Sequence, residues 1–322
     1  MTATPPHVPV LLDRVVELLT DAPDGAVVDG TVGAGGHAYA TVAARLARFG
    51  HAHLIGLDRD PSALALAAEH LADLAADPNV DIDLVRTRFD ALPDVLDERG
   101  VPRVAAVFLD LGISSMHVDR AERGFSYRQP GPLDMRMDPD LPTSAAELVN
   151  DLDAPALARL LRTYADEKFA DRIARAIVAA RPLSSTVQLA EVVRDAIPHA
   201  ARRTGGHPAT RTFQALRIAV NAELDALAAV LPTALERLLP GGICVVLSYH
   251  SLEDRLVKRA FAAAATGCIC PTSMPVCACG RTPLVEHVVR RPQRPDPSEI
   301  ATNPRASAAL LRAVRRLPEP TA

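Results

Sequence analysis

The run Ala26-Val27-Val28-Asp29-Gly30-Thr31-Val32-Gly33-Ala34-Gly35-Gly36-His37 decides how the rest of the chain is read. A short apolar strand ends in an acid, turns through a glycine-rich loop and enters a helical stretch over about His37–Arg48. Outward from it the same rhythm repeats. His53-Leu54-Ile55-Gly56-Leu57 is a second strand, closed by Asp58-Arg59-Asp60-Pro61, and Pro61 suits the first turn of a helix over Ala63–Ala76. Ile82–Arg86 and Val104–Leu109 are further strands, the latter followed by Asp110. Strands separated by ten to fifteen helical residues are βαβ units, so the expected fold class is α/β, a Rossmann-like, mostly parallel sheet with helices on both faces.

The rhythm breaks after Asp110. Residues 119–142 are rich in Gly, Pro, Arg and Asp, and residues 144–200 show helical segments with no strand between them. A long helix is expected over Ala209–Leu238, then Pro240-Gly241-Gly242 and a buried strand, Ile243–Leu247, and finally a helical stretch near Ser307–Arg316. The expected organisation is a discontinuous domain over 1–118 and 207–322, interrupted by a helical insertion over 119–206.

Composition narrows the function classes. At 48% hydrophobic and 23% charged residues the 322-residue chain is no disordered segment, and its apolar runs are too short for a membrane span. Its start has neither the basic end nor the apolar run of a signal peptide, which leads us to expect a cytoplasmic protein with no membrane partner. The net charge of −4 conceals a split. Residues 1–150 carry 12 Arg against 23 Asp and Glu, a balance of −11, and residues 151–322 carry 23 Lys and Arg against 16 acids, a balance of +7. A basic second half suits an anionic partner such as nucleic acid. With 3% aromatic residues, an extended platform that stacks many bases is excluded.

Taken alone, Gly33-x-Gly35-x-x-Ala38 with Asp58 twenty residues on is a dinucleotide fingerprint, so an NAD(P)-dependent oxidoreductase is one reading. S-adenosylmethionine occupies the same kind of crevice but carries no phosphate, and its reacting end bears a sulfonium and an ammonium. Asp29 and Asp110 at the strand ends would repel a pyrophosphate and suit that cationic group.

Several longer motifs carry a resemblance. They include His7-x-Pro9-Val10-Leu11-Leu12, Asp29-Gly30-Thr31-x-Gly33-x-Gly35-Gly36-His37, Gly56-Leu57-Asp58-Arg59-Asp60 and Leu109-Asp110-Leu111-Gly112-Ile113-Ser114-Ser115. Others are Arg123-Gly124-Phe125-Ser126-Tyr127, Leu133-Asp134-Met135-Arg136-Met137-Asp138, Phe213-Gln214-Ala215-Leu216-Arg217, His250-Ser251-Leu252-Glu253-Asp254-Arg255 and Asn303-Pro304-Arg305. Together they resemble the bacterial 16S rRNA cytosine-N4 methyltransferases over nearly the whole chain. The resemblance implies a class I S-adenosylmethionine-dependent methyltransferase with an inserted helical domain that recognises RNA. It implies methyl transfer to the exocyclic N4 of a cytidine in the decoding region of 16S rRNA, within the small ribosomal subunit. By position in the matched motifs, Gly35, Gly36, His37, Asp58, Phe89, Asp110 and His117 would be cofactor contacts. A non-catalytic RNA-binding assembly factor on the same fold is the alternative from another class. The family usually has Phe where this chain has Tyr249, and its basic tail is weaker here or moved to Arg312, Arg315 and Arg316.

For the chemistry, Asp110 and His250 are the candidate catalytic residues, with Tyr249 walling the pocket of an extruded base. His250 can equally cap the helix that begins near Glu253. RNA contacts are expected from Arg172, Arg175, Arg202, Arg203, Arg211 and Arg217. Cys268-x-Cys270 and Cys277-x-Cys279 place four thiols within twelve residues, which read either as free thiols with no metal or as a structural zinc set, whereas Cys244 in an apolar strand reads as core.

Overall fold

The structure is a computed structural model that describes residues 9–203, 207–271, 274, 276 and 278–319. In chain order its first elements are α1 (Leu12–Asp21), β1 (Val27–Asp29), α2 (Gly36–Phe49), β2 (Ala52–Asp58), α3 (Pro61–His70), α4 (Ala72–Ala75), β3 (Val80–Arg86), α5 (Leu92–Glu98) and β4 (Val104–Asp110). There follow α6 (Ser115–Asp119), α7 (Ala145–Asp151), α8 (Ala154–Ala165), α9 (Ala170–Ala179), α10 (Thr186–Ala196) and α11 (Thr210–Asn221). The last are α12 (Glu223–Glu236), β5 (Leu238–Ser248), α13 (Ser251–Ala265), β6 (Val285–His287), α14 (Pro297–Thr302) and β7 (Leu310–Arg316).

The chain divides into two units, one of residues 1–112 with 225–322 and one of 113–224. In the first, a seven-stranded sheet runs in the order β3-β2-β1-β4-β5-β7-β6. The five strands from β3 to β5 are parallel, and β7 pairs antiparallel with β5 and with β6. The order reverses between β1 and β4, which opens a crevice at the carboxyl ends of those strands. β1 and β4 are buried along nearly their whole length, as a sheet covered on both faces requires. One face packs Val28, Ile55, Leu57, Val107 and Leu109 against α5 and α12, and the other packs Val27, Ala106, Phe108 and Val245 against α1.

The second unit is helical. Its core gathers Leu157, Leu161, Ile173, Ile177, Leu189, Val193 and Leu216, the apolar stripes of α8 to α11. It spans 113–224 where the sequence reading has 119–206, and it ends later because α11 contributes Ala215, Leu216 and Val220 to this core.

The helix expected over Ala63–Ala76 is split into α3 and α4, the turn expected at Pro240-Gly241-Gly242 lies within β5, and two further elements differ more. The single helix over Ala209–Leu238 is instead α11 and α12, broken at Ala222, whose φ of 49° is left-handed. Buried Asn221 explains the break: its amide donates to the Met135 carbonyl at 2.7 Å and accepts from the Met137 N–H at 2.8 Å. That clamp on the segment 133–138 fixes where the helix stops. The helical stretch expected near Ser307–Arg316 is a short 3₁₀ turn, Pro304–Ala308, followed by strand β7. Ala, Leu and Arg favour helix locally, but the open edge of β5 offers this segment backbone partners from Ile243 to Ser248, and tertiary pairing wins.

Candidate active site

Three neighbouring strands, β2, β1 and β4, each end in a carboxylate: Asp58, Asp29 and Asp110. The fold therefore lines the crevice with acids side by side. Asp29 is buried, its Oδ1 accepting from the Thr31 N–H at 3.1 Å. Burial, reinforced by the charges of Asp110 and Asp58, pushes its carboxyl up to about 7 even though the Thr31 backbone bond pulls the other way. Asp58 ties the glycine loop to the end of β2, accepting from Gly33 N at 3.0 Å and from Asp60 N at 2.9 Å. Asp60 in turn caps α3 through Ser62 N at 2.9 Å.

Asp110 is held from several sides. Its own N–H donates to Thr31 Oγ1 at 2.6 Å, and its Oδ1 accepts from the Tyr249 hydroxyl at 2.8 Å. Burial, with the adjacent Asp110 charge and bond, raises the Tyr249 phenol, so it stays a donor. Gly112, at φ 99°, leaves room for the Tyr249 ring, which would lie 3.3 Å from any Cβ there. On the other side His37 Nδ1 is 3.6 Å from Asp110 Oδ2. His37 is buried at the start of α2, its Nε2 2.9 Å from the Val10 carbonyl. Burial lowers it to about 4, so at neutral pH the ring is uncharged and the carbonyl assigns its one proton to Nε2. Nδ1 then presents a lone pair, and the contact with Asp110 is not an ion pair.

The loop is shaped by glycine at two positions. Gly35 is the N-cap of α2 at φ 85°, and a Cβ on Gly36 would come 2.6 Å from Pro9 Cγ. Phe89, in the turn Phe89–Ala91 after β3, packs in the core with Val28, Leu57 and Leu109 and borders Gly30. His117 belongs to the helical unit, where its Nδ1 is 3.3 Å from Ser114 Oγ and its ring 4.9 Å from that of Phe125.

His250 takes the capping geometry. It is the N-cap of α13: its Nδ1 accepts from Glu253 N at 3.4 Å, while Glu253 Oε2 accepts from the Tyr249 and His250 N–H groups at 2.8 and 3.2 Å. Its Nε2 lies 2.9 Å from the same carboxylate.

The expected RNA-binding arginines divide. Arg172, Arg175 and Arg211 are exposed. Arg217 makes a bidentate pair with Glu223 at 2.8 and 2.9 Å, and Arg202 donates to the Ile197 carbonyl at 2.8 Å. Arg203 closes the short turn Ala201–Arg203. In the tail, Arg312 pairs with Asp254 at 2.7 Å, Arg315 with Asp21 at 2.5 Å, and Arg316 donates to the Leu235 carbonyl at 3.0 Å. Cys244 is buried in β5 and its thiol is pushed up to about 12. Cys268, Cys270 and Cys279 cluster, and Cys277 lies outside the described residues, as does His7. Thr31 and the Tyr249–Asp110 bond were not singled out from the sequence as site features. Thr31 lies inside the glycine-loop motif over 29–37, which is the signal that points to it.

A family model described as the MraW methylase family matches residues 4–317. The chain belongs to the MraW methylase family. A protein of Acidothermus cellulolyticus named "Ribosomal RNA small subunit methyltransferase H" is 53% identical over 317 residues, covering 97% of this chain and 94% of the relative. A protein of Heliobacterium modesticaldum with the same name is 48% identical, covering 97% and 98%. The fold is accordingly that of a class I methyltransferase, and S-adenosylmethionine is its cofactor. The oxidoreductase reading of the glycine loop is not supported, and neither is a non-catalytic assembly factor. The acidic strand ends agree: three carboxylates, one already driven toward its neutral form by burial beside the others, suit a cationic ligand and oppose a pyrophosphate.

Proposed function

We propose that the chain methylates the exocyclic N4 of a cytidine in the decoding region of 16S rRNA, within the small ribosomal subunit in the cytoplasm. The name of its half-identical relatives supports the rRNA substrate, and the observation that carries the chemistry is the fixed Asp110 carboxylate at the topological switch of the sheet. Bound S-adenosylmethionine supplies an electrophilic methyl on a sulfonium. The chain has to orient it, exclude water and stabilise the charge that moves onto the attacking nitrogen.

The cytosine amino nitrogen is a weak nucleophile because its lone pair is delocalised into the ring. Asp110 accepts from that amino group, which favours the pyramidal geometry in which the lone pair is available. The Asp110 carboxylate would face the positive charge that passes with the methyl to the nitrogen, and the N4 proton would pass to it or to water. Tyr249 acts as a positioning residue by fixing Asp110 Oδ1, and its ring walls the base. Holding the reactants in line is worth about 7–11 kcal/mol where the geometry is good. Asp58 orients the ribose hydroxyls, Gly35 and Gly36 admit the methionine end, and His37 and Phe89 complete the cofactor side. His250 serves by capping α13 directly behind Tyr249. Arg172, Arg175 and Arg211 hold the RNA backbone.

The test is transfer of labelled methyl to small subunits lacking the modification, with the modified base identified. N4-methylcytidine at one site, with Asp110→Asn slowed at least a hundredfold in single turnover at saturating cofactor, is the expected result. A different modified base, or an Asp110→Asn rate close to wild type, overturns the proposal.

A further inference from the structure

The segment between α13 and β6 has an odd composition for a surface loop. Ile269, Met274 and Val276 are the large hydrophobic residues most exposed among the described residues, at 62%, 46% and 75%. No described residue from 266 to 284 is buried. The base of the loop is pinned: Leu284 N–H donates to the Ala264 carbonyl at 2.8 Å, and Arg281 donates to that of Ala263 at 2.5 Å. The tip has no core of its own, so hydrophobic burial cannot be what orders it.

What the tip has is sulfur. The Sγ atoms of Cys268, Cys270 and Cys279 all lie within 4.8 Å of one another, and those of Cys268 and Cys279 are 3.8 Å apart. Tetrahedral zinc with Zn–S bonds of about 2.3 Å requires sulfurs about 3.8 Å apart. A disulfide needs about 2.05 Å and would join only two of the three. The backbone is turned toward the sulfurs as well. The Cys270 N–H donates to Cys268 Sγ at 3.4 Å. Gly280, at φ 59°, turns the chain away directly after Cys279.

We propose that Cys268, Cys270 and Cys279 bind one Zn²⁺ as thiolates, a structural site that orders this loop in place of a hydrophobic core. Each thiol gives up its proton on binding, and the fourth coordination position falls to a ligand outside the trio. The site is remote in sequence from the crevice residues and stands independently of the proposed RNA substrate.

The full chain, reduced and stripped by dialysis against a chelator, is titrated with Co²⁺ and then with Zn²⁺. One equivalent of Co²⁺ giving thiolate-to-metal charge-transfer absorption, bleached by one equivalent of Zn²⁺, is expected. Cys270→Ser and Cys279→Ser should lose the band, and Cys244→Ala, in the core, should keep it. In the unmutated chain, Zn²⁺ should slow alkylation of Cys268, Cys270 and Cys279 at least tenfold by mass spectrometry, a readout that needs no variant to fold. Less than about a tenth of an equivalent bound, unchanged alkylation, or a band that survives both serine variants overturns the proposal.

Discussion

Replacing Asp29 with asparagine should make the protein more stable at neutral and alkaline pH and leave it unchanged in acid. Asp29 is buried at the end of β1, and burial with two neighbouring carboxylates raises it from 3.8 to about 7. In the unfolded chain it titrates near its ordinary value. Between about pH 4 and pH 7 the folded state therefore holds a proton that the unfolded state has lost, and stability falls as pH rises through that window. The contribution is complete below the unfolded value and gone above about 7. The gap corresponds to about 4 kcal/mol, an upper bound because water and side chains relax around a buried charge. The substituted amide keeps the oxygen that accepts from Thr31 N–H and carries no charge. Urea unfolding of both proteins from about pH 4 to about pH 8.5 gives the difference directly, and His37, which titrates in the opposite sense, cancels in it to first order. The variant should match wild type near pH 4 and exceed it by about 2–4 kcal/mol near pH 8. A difference that stays flat across the range would refute the reasoning, for Asp29 would then ionise as an ordinary surface carboxyl.

The same carboxylate couples to the methyl donor. Binding a sulfonium beside Asp29 should expel its proton, so affinity for S-adenosylmethionine should rise with pH up to about 7 and flatten above, more steeply than that for the neutral-sulfur product; parallel calorimetric profiles would count against it. Tyr249→Phe removes the 2.8 Å donor to Asp110 and should lower stability by about 1.5–3 kcal/mol in urea unfolding while keeping methyl transfer within about tenfold. His250→Ala removes the N-cap of α13 and should cost about 1 kcal/mol, which His250→Asn restores; restored stability without restored methyl transfer would give His250 a chemical role beyond the cap. Reversing Arg172, Arg175 and Arg211 together should weaken RNA binding and reduce the slope of log affinity against log salt by about 2, and an unchanged slope would remove these three residues from the RNA interface.

Much of the sheet domain is legible because its signals are local. Val27–Asp29, the glycine loop and Asp58 declare themselves within a few residues, and the parallel order follows from helices lying between strands. The elements that mislead are those settled by distant partners. Leu310–Arg316 has a helical composition and is a strand because β5 has an open edge. The Ala209–Leu238 run breaks because Asn221 reaches back to Met135 and Met137, 86 and 84 positions away. In the site, the three acids are visible at strand ends, yet that they stand side by side depends on β1 pairing with both β2 and β4. The N-cap role of His250 was legible as one of two readings, and only the Glu253 carboxylate facing both N–H groups separates them.

The charge split reads differently once it is laid on the fold. The helical unit as a whole carries 15 Lys and Arg against 14 Asp and Glu over residues 113–224, so it has no basic field of its own. The acids concentrate early in it, and residues 159–217 hold 11 basic groups against 5 acidic ones. Residues 225–322 carry a further excess, 12 against 8, but Arg312, Arg315 and Arg316 are spent on Asp254, Asp21 and the Leu235 carbonyl, where they hold β7 in place. Arg217, inside an apparent recognition motif, is likewise bound to Glu223 beside the break between α11 and α12. A count of basic residues therefore overstates what is available to a phosphate backbone. Because the helical unit has near-balanced charge and no basic field of its own, the proposed RNA recognition rests on which exposed arginines are placed against phosphates and on the pocket around one base, which is also what a shortage of aromatic residues permits.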